Sequence, residues 1–300
     1  MMSTNVENSS DDEVCASCGI AAVDDVQLKK CACNLLRYCG VDCQRDHRPL
    51  HKKLCKKILA ELRDKALFTQ PDGSHLGECP ICFLPLSIDS TKSMLNSCCS
   101  KRICNGCSYA NKKYETEAGL LKQRCVFCRE PLPGLDEEHI HYKNNMERAK
   151  KNDPNAMFMA GMKHHREGGY ETAMDYLTKA AALGHALSHY QLYKMYHLGE
   201  GVQKDKDKEI YHLKEAAMGG HPVARDLLGC TEMSNCRFER AKKHFIIAAK
   251  LGYHDSLEMI KCLYKQGNAS KEDYASALRA YQAAVDATKS QQREEAEAFF

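Results

Sequence analysis

Small and apolar side chains recur along the second half of the chain with a long, regular period. The segments YLTKAAALGH, YHLKEAAMGGH and HFIIAAKLGYH align on Ala180, Ala216 and Ala248, and Ala284 continues the series, at spacings of 36, 32 and 36 residues. An upstream series, Ala156, Ser188, Ala224 and Ser256, is followed four residues later by Ala160, Leu192, Leu228 and Ile260. Ala173, Ala241 and Ala277 stand seven residues before three of the main alanines, two helical turns up the same face. Gly184, Gly220 and Gly252 are placed to close the second helix of each unit. Small residues at fixed offsets let two helices approach closely. The pattern therefore predicts stacked helical hairpins, a solenoid over residues 154–289 with three well-formed repeats and a degenerate fourth. Tyr176, Tyr193 and Tyr196 are expected to pack between helices, and His185, His221 and His254 to serve the turns they follow. Cys230, Cys236 and Cys262 are expected as buried thiols.

The first half has no such period. Ile58, Leu59, Leu62 and Ala66 are spaced for one helix face, and Thr69–Gly77 is turn chemistry, a linker. The chain is thus expected to divide into a disordered acidic tail (1–14), a first cysteine-rich block (15–55), a helix and linker (56–77), a second cysteine-rich block (78–133), a polar connector (134–153), the repeats (154–289) and a fraying C-terminal tail (290–300). The expected fold class is small zinc-stabilised α/β modules followed by an all-α helical-hairpin solenoid.

Cysteine spacing supplies the chemistry. Fifteen of the 18 cysteines lie between Cys15 and Cys128. The first block reads Cys15-x2-Cys18, Cys31-x-Cys33, Cys39-x3-Cys43 and His51-x3-Cys55. A C-x2-C pair places two thiolates on one tight knuckle, within reach of a single tetrahedral Zn²⁺. Residues four apart share a helix face, so His51 and Cys55, and likewise Cys39 and Cys43, can present donors together. Seven Cys and one His fill two four-coordinate sites. The N-terminal segment has no basic or apolar stretch of the signal-peptide kind. A reducing compartment, cytoplasm or nucleus, is therefore expected, where paired cysteines hold metal rather than disulfides.

This block resembles the MYND zinc finger. The residues that carry the likeness are the opening C-x2-C, Tyr38-Cys39, Cys43-Gln44 and His51-Lys52-x2-Cys55. The resemblance implies interleaved ligation, with one ion on Cys15, Cys18, Cys39 and Cys43 and the other on Cys31, Cys33, His51 and Cys55. It also implies a groove that grips proline-containing peptides. Two positions depart from the family: the second pair is C-x-C, and His47 stands where Trp is usual, next to a groove it can alter and close enough to His51 to compete as a ligand.

The second block reads Cys79-x2-Cys82, Cys98-Cys99, Cys104-x2-Cys107 and Cys125-x2-Cys128, again eight donors. CPIC, CNGC and CVFCR make it similar to an all-cysteine RING finger. The RING cross-brace implies one ion on Cys79, Cys82, Cys104 and Cys107 and another on Cys98, Cys99, Cys125 and Cys128, for about four Zn²⁺ per chain in all. RING domains hold a ubiquitin-conjugating enzyme and act by positioning. In that resemblance Ile81 takes the place of the apolar contact residue and Arg129 that of the cation after the last ligand. Val126 stands where Pro is common, and the usual central His is missing.

In the repeats, Ser188–Asp205 with its LGEGV sequence resembles the Sel-one-like repeat, a relative of the tetratricopeptide repeat. That likeness implies a scaffold whose face holds another protein.

Composition narrows the function classes. A net charge of +3 is too small to argue for nucleic acid, and no apolar run is long enough for a membrane span. No phosphate-binding glycine loop, G-x-S-x-G elbow or SET-like catalytic stretch is present. Two readings follow. One is a zinc-binding adaptor or scaffold for proteins and peptides, recruiting a ubiquitin-conjugating enzyme through its RING. The other is a RING-type ubiquitin-protein ligase whose MYND finger and repeats bind substrate.

Overall fold

The computed structural model describes residues 14–22, 27–120, 123–133 and 137–299; the acidic tail expected over 1–14 lies outside them except for its last residue. The chain divides into two compact units between Leu67 and Phe68.

In the first unit, strands β1 (Lys29–Lys30) and β2 (Arg37–Tyr38) pair antiparallel, with Lys29 opposite Tyr38. Helix α1 (Val41–Leu67) follows. The helix expected from Ile58 is the second half of this longer one. Ile58 and Leu59 pack with Leu28 and Leu36 against buried Cys15, Cys31, Cys33 and Tyr38, whereas Leu62 and Ala66 are exposed. Cys39 precedes α1, so Cys39 and Cys43 converge from a strand exit and a first helical turn, not from one helix face. The core is mostly cysteine with few aliphatic side chains, too little to fold so short a segment without a cross-link.

The second unit begins with the other cysteine-rich module. Strands β3 (Ser93–Asn96) and β4 (Lys101–Cys104) form a hairpin, Ser93 opposite Cys104, and helix α2 (Asn105–Glu117) follows directly. Leu86 and Ile103 are buried with Cys79, Cys104 and Cys107, and Leu76 and Val126 pack onto them.

The rest is helical. Helices α3 (Glu138–Ala149), α4 (Pro154–Arg166), α5 (Tyr170–Ala182), α6 (Ala186–Leu198), α7 (Lys206–Met218), α8 (Pro222–Ser234), α9 (Phe238–Lys250), α10 (His254–Lys265) and α11 (Lys271–Ala287) run in sequence, and α12 (Gln291–Glu297) ends the described chain. The hairpins are α4–α5, α6–α7, α8–α9 and α10–α11, with α5 packing on α6, α7 on α8, and α9 on both α10 and α11. Ala156, Ala160, Ala173, Ala180, Ser188, Leu192, Ala216, Ala224, Ala241, Ala248, Ser256, Ile260 and Ala277 have no exposed surface. These are thirteen of the fifteen repeating small and apolar positions, and their burial is what a period of that length requires; Leu228 is also buried, whereas Ala284, in the degenerate fourth unit, is only half-buried. In the G-x-G-V loop a Cβ on Gly201 would lie 2.1 Å from Tyr170 Cβ, and its φ is +71°, so both space and backbone demand glycine there.

Several segments differ from their sequence expectation. The connector over 134–153 is largely α3, which extends the array by burying Ala149 with Ala156, Met157 and Ala180. The linker is fastened to the repeats: the His75 N–H donates to Gly220 O at 3.0 Å. The tail expected to fray contains α12, which packs on α2 and buries Ala296. Cys236 is exposed, in the turn between α8 and α9, and Cys230 and Cys262 are only half-buried.

His185 and His221 cap helices. Their side chains accept the N–H of Ser188 and Ala224 at the starts of α6 and α8. His221 lies between Tyr190, on which it stacks, and the tilted ring of His75, with ring centroids 4.2 and 4.5 Å away. Burial pushes His221 down to about 3 and His185 and His75 to about 4. All three are thus neutral in the fold, whereas unfolded histidine titrates near about 6.5. Between about pH 6.5 and 4 the unfolded chain binds more protons, so stability falls as pH falls. The amide-exchange protection of α6 and α8 is expected to be level above pH 7 and to drop below about pH 6.5. His221→Asn keeps a capping acceptor that does not titrate, and should flatten that drop.

Candidate metal centres

Three C-x2-C knuckles share one backbone design. The residue after the second cysteine has positive φ: Gly19 at 72°, Phe83 at 59° and Arg129 at 63°. Its N–H donates to the first cysteine's carbonyl at 2.8, 2.8 and 2.9 Å, and the first cysteine's N–H donates to the carbonyl of Ile20, Leu84 or Glu130. A single β-bridge closes each knuckle, Val14 with Ala21, Glu78 with Pro85 and Arg124 with Pro131. The turn directs both thiols to one side. The β3–β4 hairpin brings Cys98 and Cys99 to its tip, and α1 carries His51 and Cys55 one turn apart.

The sixteen predicted donors gather in four groups: Cys15, Cys18, Cys39 and Cys43; Cys31, Cys33, His51 and Cys55; Cys79, Cys82, Cys104 and Cys107; Cys98, Cys99, Cys125 and Cys128. Within each, the four ligand atoms lie within 4.8 Å of one another. In both modules the groups interleave along the sequence. Cys98 belongs to its group, with its Sγ 3.4 Å from that of Cys128. His47 stays outside: its Nδ1 pairs with the Tyr38 hydroxyl at 3.0 Å, while His51 Nε2 lies 3.1 Å from Cys33 Sγ.

The donor sets fit zinc. Zn–S bonds of about 2.3 Å at tetrahedral angles place sulfurs about 3.8 Å apart. The Sγ–Sγ separations are 3.5 Å for Cys39–Cys43, 3.6 Å for Cys18–Cys39 and for Cys31–Cys55, 3.7 Å for Cys99–Cys125 and 3.8 Å for Cys82–Cys104. All eighteen cysteines are unbridged. The surroundings favour thiolate at Cys15 and Cys104, whereas burial raises the Cys79 thiol. Burial raises Cys15, yet the N–H groups of Cys18, Cys39 and Ser17 outweigh it and bring its thiol to about 6. The Cys107 thiol is the main group drawing Cys104 down to about 4; burial opposes it, and the Cys107 N–H and the Arg293 charge add to it. Each group offers four protein donors and no open position, the arrangement of structural rather than catalytic zinc.

Two supporting residues escaped the sequence reading. Asn96 is buried and its Nδ2 donates to Cys125 Sγ at 3.4 Å. Arg293 Nη2 donates to Cys82 Sγ at 3.4 Å from 211 residues away. An isolated Asn or Arg carries no spacing signal, so only the fold brings either to a thiol.

The other three predicted site residues do not converge on one function. Ile81 is 38% exposed. Val126 packs on the Leu86–Ile103 core. Arg129 takes the left-handed knuckle position, and its Nη1 donates to Asn111 Oδ1 at 2.9 Å.

Residues 15–55 match the family model of the MYND finger. No curated protein sequence matches the chain. Two solved structures resemble part of it. One is c5321, described as a protective antigen of uropathogenic Escherichia coli displaying an SLR fold: 23% identity, TM-score 0.41, covering 49% of this chain and 33% of that one. The other is a Sel1 repeat protein from Oxalobacter formigenes: 22% identity, TM-score 0.45, covering 58% of this chain and 51% of that one. The chain thus spans about a third and about half of the length of those two proteins. The chain is modular: a MYND finger over residues 15–55, a second eight-cysteine module and an array of helical hairpins, with donors for about four zinc ions. Among the described residues no helix is long and apolar enough to cross a membrane.

Proposed function

We propose that this chain is a zinc-dependent adaptor of the cytoplasm or nucleus. Its sixteen donors ligate four structural zinc ions as grouped above, its MYND finger and repeat face bind proteins or peptides, and its second module recruits a ubiquitin-conjugating enzyme. The observation that carries this reading is the closure of all four donor sets. With no coordination position left for a substrate, zinc serves to fold small modules, and function falls to their surfaces.

A specific feature favours the ligase alternative strongly enough to be tested beside it. Ile81, Phe83 and Phe127 are exposed on the first and last knuckles, at 38%, 72% and 43%. Exposed apolar side chains on otherwise tightly built turns suit a protein contact. Arg129 is held by Asn111 beside the last knuckle, where it can orient a thioester-linked ubiquitin.

One experiment separates the readings. Zinc-loaded chain is mixed with a panel of ubiquitin-charged conjugating enzymes, and both binding and discharge are read. Binding without faster discharge supports the adaptor; faster discharge supports the ligase. Neither with any enzyme removes the RING reading. Where binding occurs, Ile81→Ala is expected to weaken it about tenfold, the loss of one apolar anchor in a small interface.

A further inference from the structure

Helix α12 is seven residues long, too short to persist alone in water. What holds it is concentrated on Arg293. Nη1 donates to Pro85 O and Thr288 O, each at 2.7 Å, and Nη2 donates to Leu84 O at 3.2 Å and to Cys82 Sγ at 3.4 Å. Three of these four acceptors belong to the Cys79–Cys82 knuckle and the residues that follow it. The opposing surface is cut to fit: a Cβ on Gly106, between Cys104 and Cys107, would lie 2.9 Å from Arg293 Cγ and 3.1 Å from its Cα. Around this centre the contacts are peripheral. Lys92 pairs with Glu297 at 2.6 Å on the surface, and the Tyr109 and Phe299 rings lie 5.0 Å apart. The other face of α2 is occupied, since Asn111 and Glu115 hold the Arg124 backbone of the last knuckle.

We propose that Arg293 caps the thiolates of the Cys79, Cys82, Cys104 and Cys107 centre, and that docking of the C-terminal helix therefore depends on metal at that centre. The inference rests on the zinc reading above. Four thiolates around one divalent ion carry a net double negative charge in a partly buried site. A guanidinium at hydrogen-bonding distance offsets part of that charge and donates N–H to sulfur, as groups around metal ligands commonly do. Without the ion the four sulfurs are no longer gathered at one point, and the knuckle that presents Leu84 O and Pro85 O loses its cross-link. Both halves of the Arg293 site are then lost together. Zinc occupancy at one end of the unit is thereby reported at its other terminus.

The test uses the full chain, with zinc content measured by elemental analysis and amide exchange read helix by helix. In zinc-loaded protein α12 is expected to be protected, and chelation should expose it while α4–α9 stay protected. Arg293→Gln should expose α12 with zinc still bound and release one of the four ions about tenfold faster, the usual scale of a lost supporting contact; Arg293→Lys, which keeps the charge, should fall between. Protection of α12 that survives chelation, or an Arg293→Gln chain matching wild type in both exchange and zinc release, overturns the proposal. About four zinc ions with an unresponsive α12 defeats this inference alone, whereas a chain purified without zinc defeats the zinc reading and this inference together.

Discussion

Removal of zinc by a strong chelator is expected to unfold residues 15–55 and 79–131 while leaving most of the helical circular-dichroism signal of residues 154–289. The size of the effect follows from how little else holds the finger modules. The first has Leu28, Leu36, Ile58 and Leu59 packed around its cysteines, the second Leu86 and Ile103 with Leu76 and Val126. Cores that small supply only a few kcal/mol, whereas structural zinc supplies about 10–16 kcal/mol of apparent folding energy per site. The array needs no metal, because its hairpins bury thirteen of the repeating positions completely. Elemental analysis before chelation should give about four zinc ions per chain, one per four-donor group. Loss of the entire helical signal on chelation would show that the array depends on the metal modules for its folding.

Phe245→Ala is expected to cost about 3–5 kcal/mol, enough to unfold the C-terminal part of the array at moderate urea. Phe245 has no exposed surface and sits in one cluster with Ala241, Ala249, Leu257, Ile260, Leu263 and Ala277, spanning α9, α10 and α11. Gly229 of α8 leaves room for its ring: a Cβ there would come within 2.6 Å of Phe245 Cε1. The ring thus joins the third hairpin to the fourth. In a linear array stability is shared between neighbours, so the loss should be localised. Amide exchange should quicken from α9 to α11 and change little in α4 and α5. A uniform change across all hairpins would contradict that picture.

The hairpin array was legible in the sequence because burial imposes a periodic constraint. Wherever two helices cross closely only small side chains fit, and Ala180, Ala216 and Ala248 repeat for that reason. Metal centres are legible for a related reason. A tetrahedral ion needs four donors, and the tight knuckle that supplies two of them fixes their spacing at C-x2-C. What the pattern misjudged were segments with little apolar content of their own. Residues 134–153 look like a connector because only one face of α3, carrying Ala149, meets the array. The tail looks free because the contacts of α12 centre on one arginine, with a single buried alanine and a surface ion pair from Glu297 beside it.

The sequence by itself determined the number and kind of metal donors, the period of the array and the side chains at its close crossings, since each is a local constraint that repeats. Only the tertiary structure decided that Asn96 and Arg293 reach thiols, that His47 turns to Tyr38 while His51 joins the donors, and that the linker is pinned at Gly220. Those outcomes depend on which surfaces distant segments present to each other, and a single unrepeated residue leaves no pattern from which such an encounter can be read.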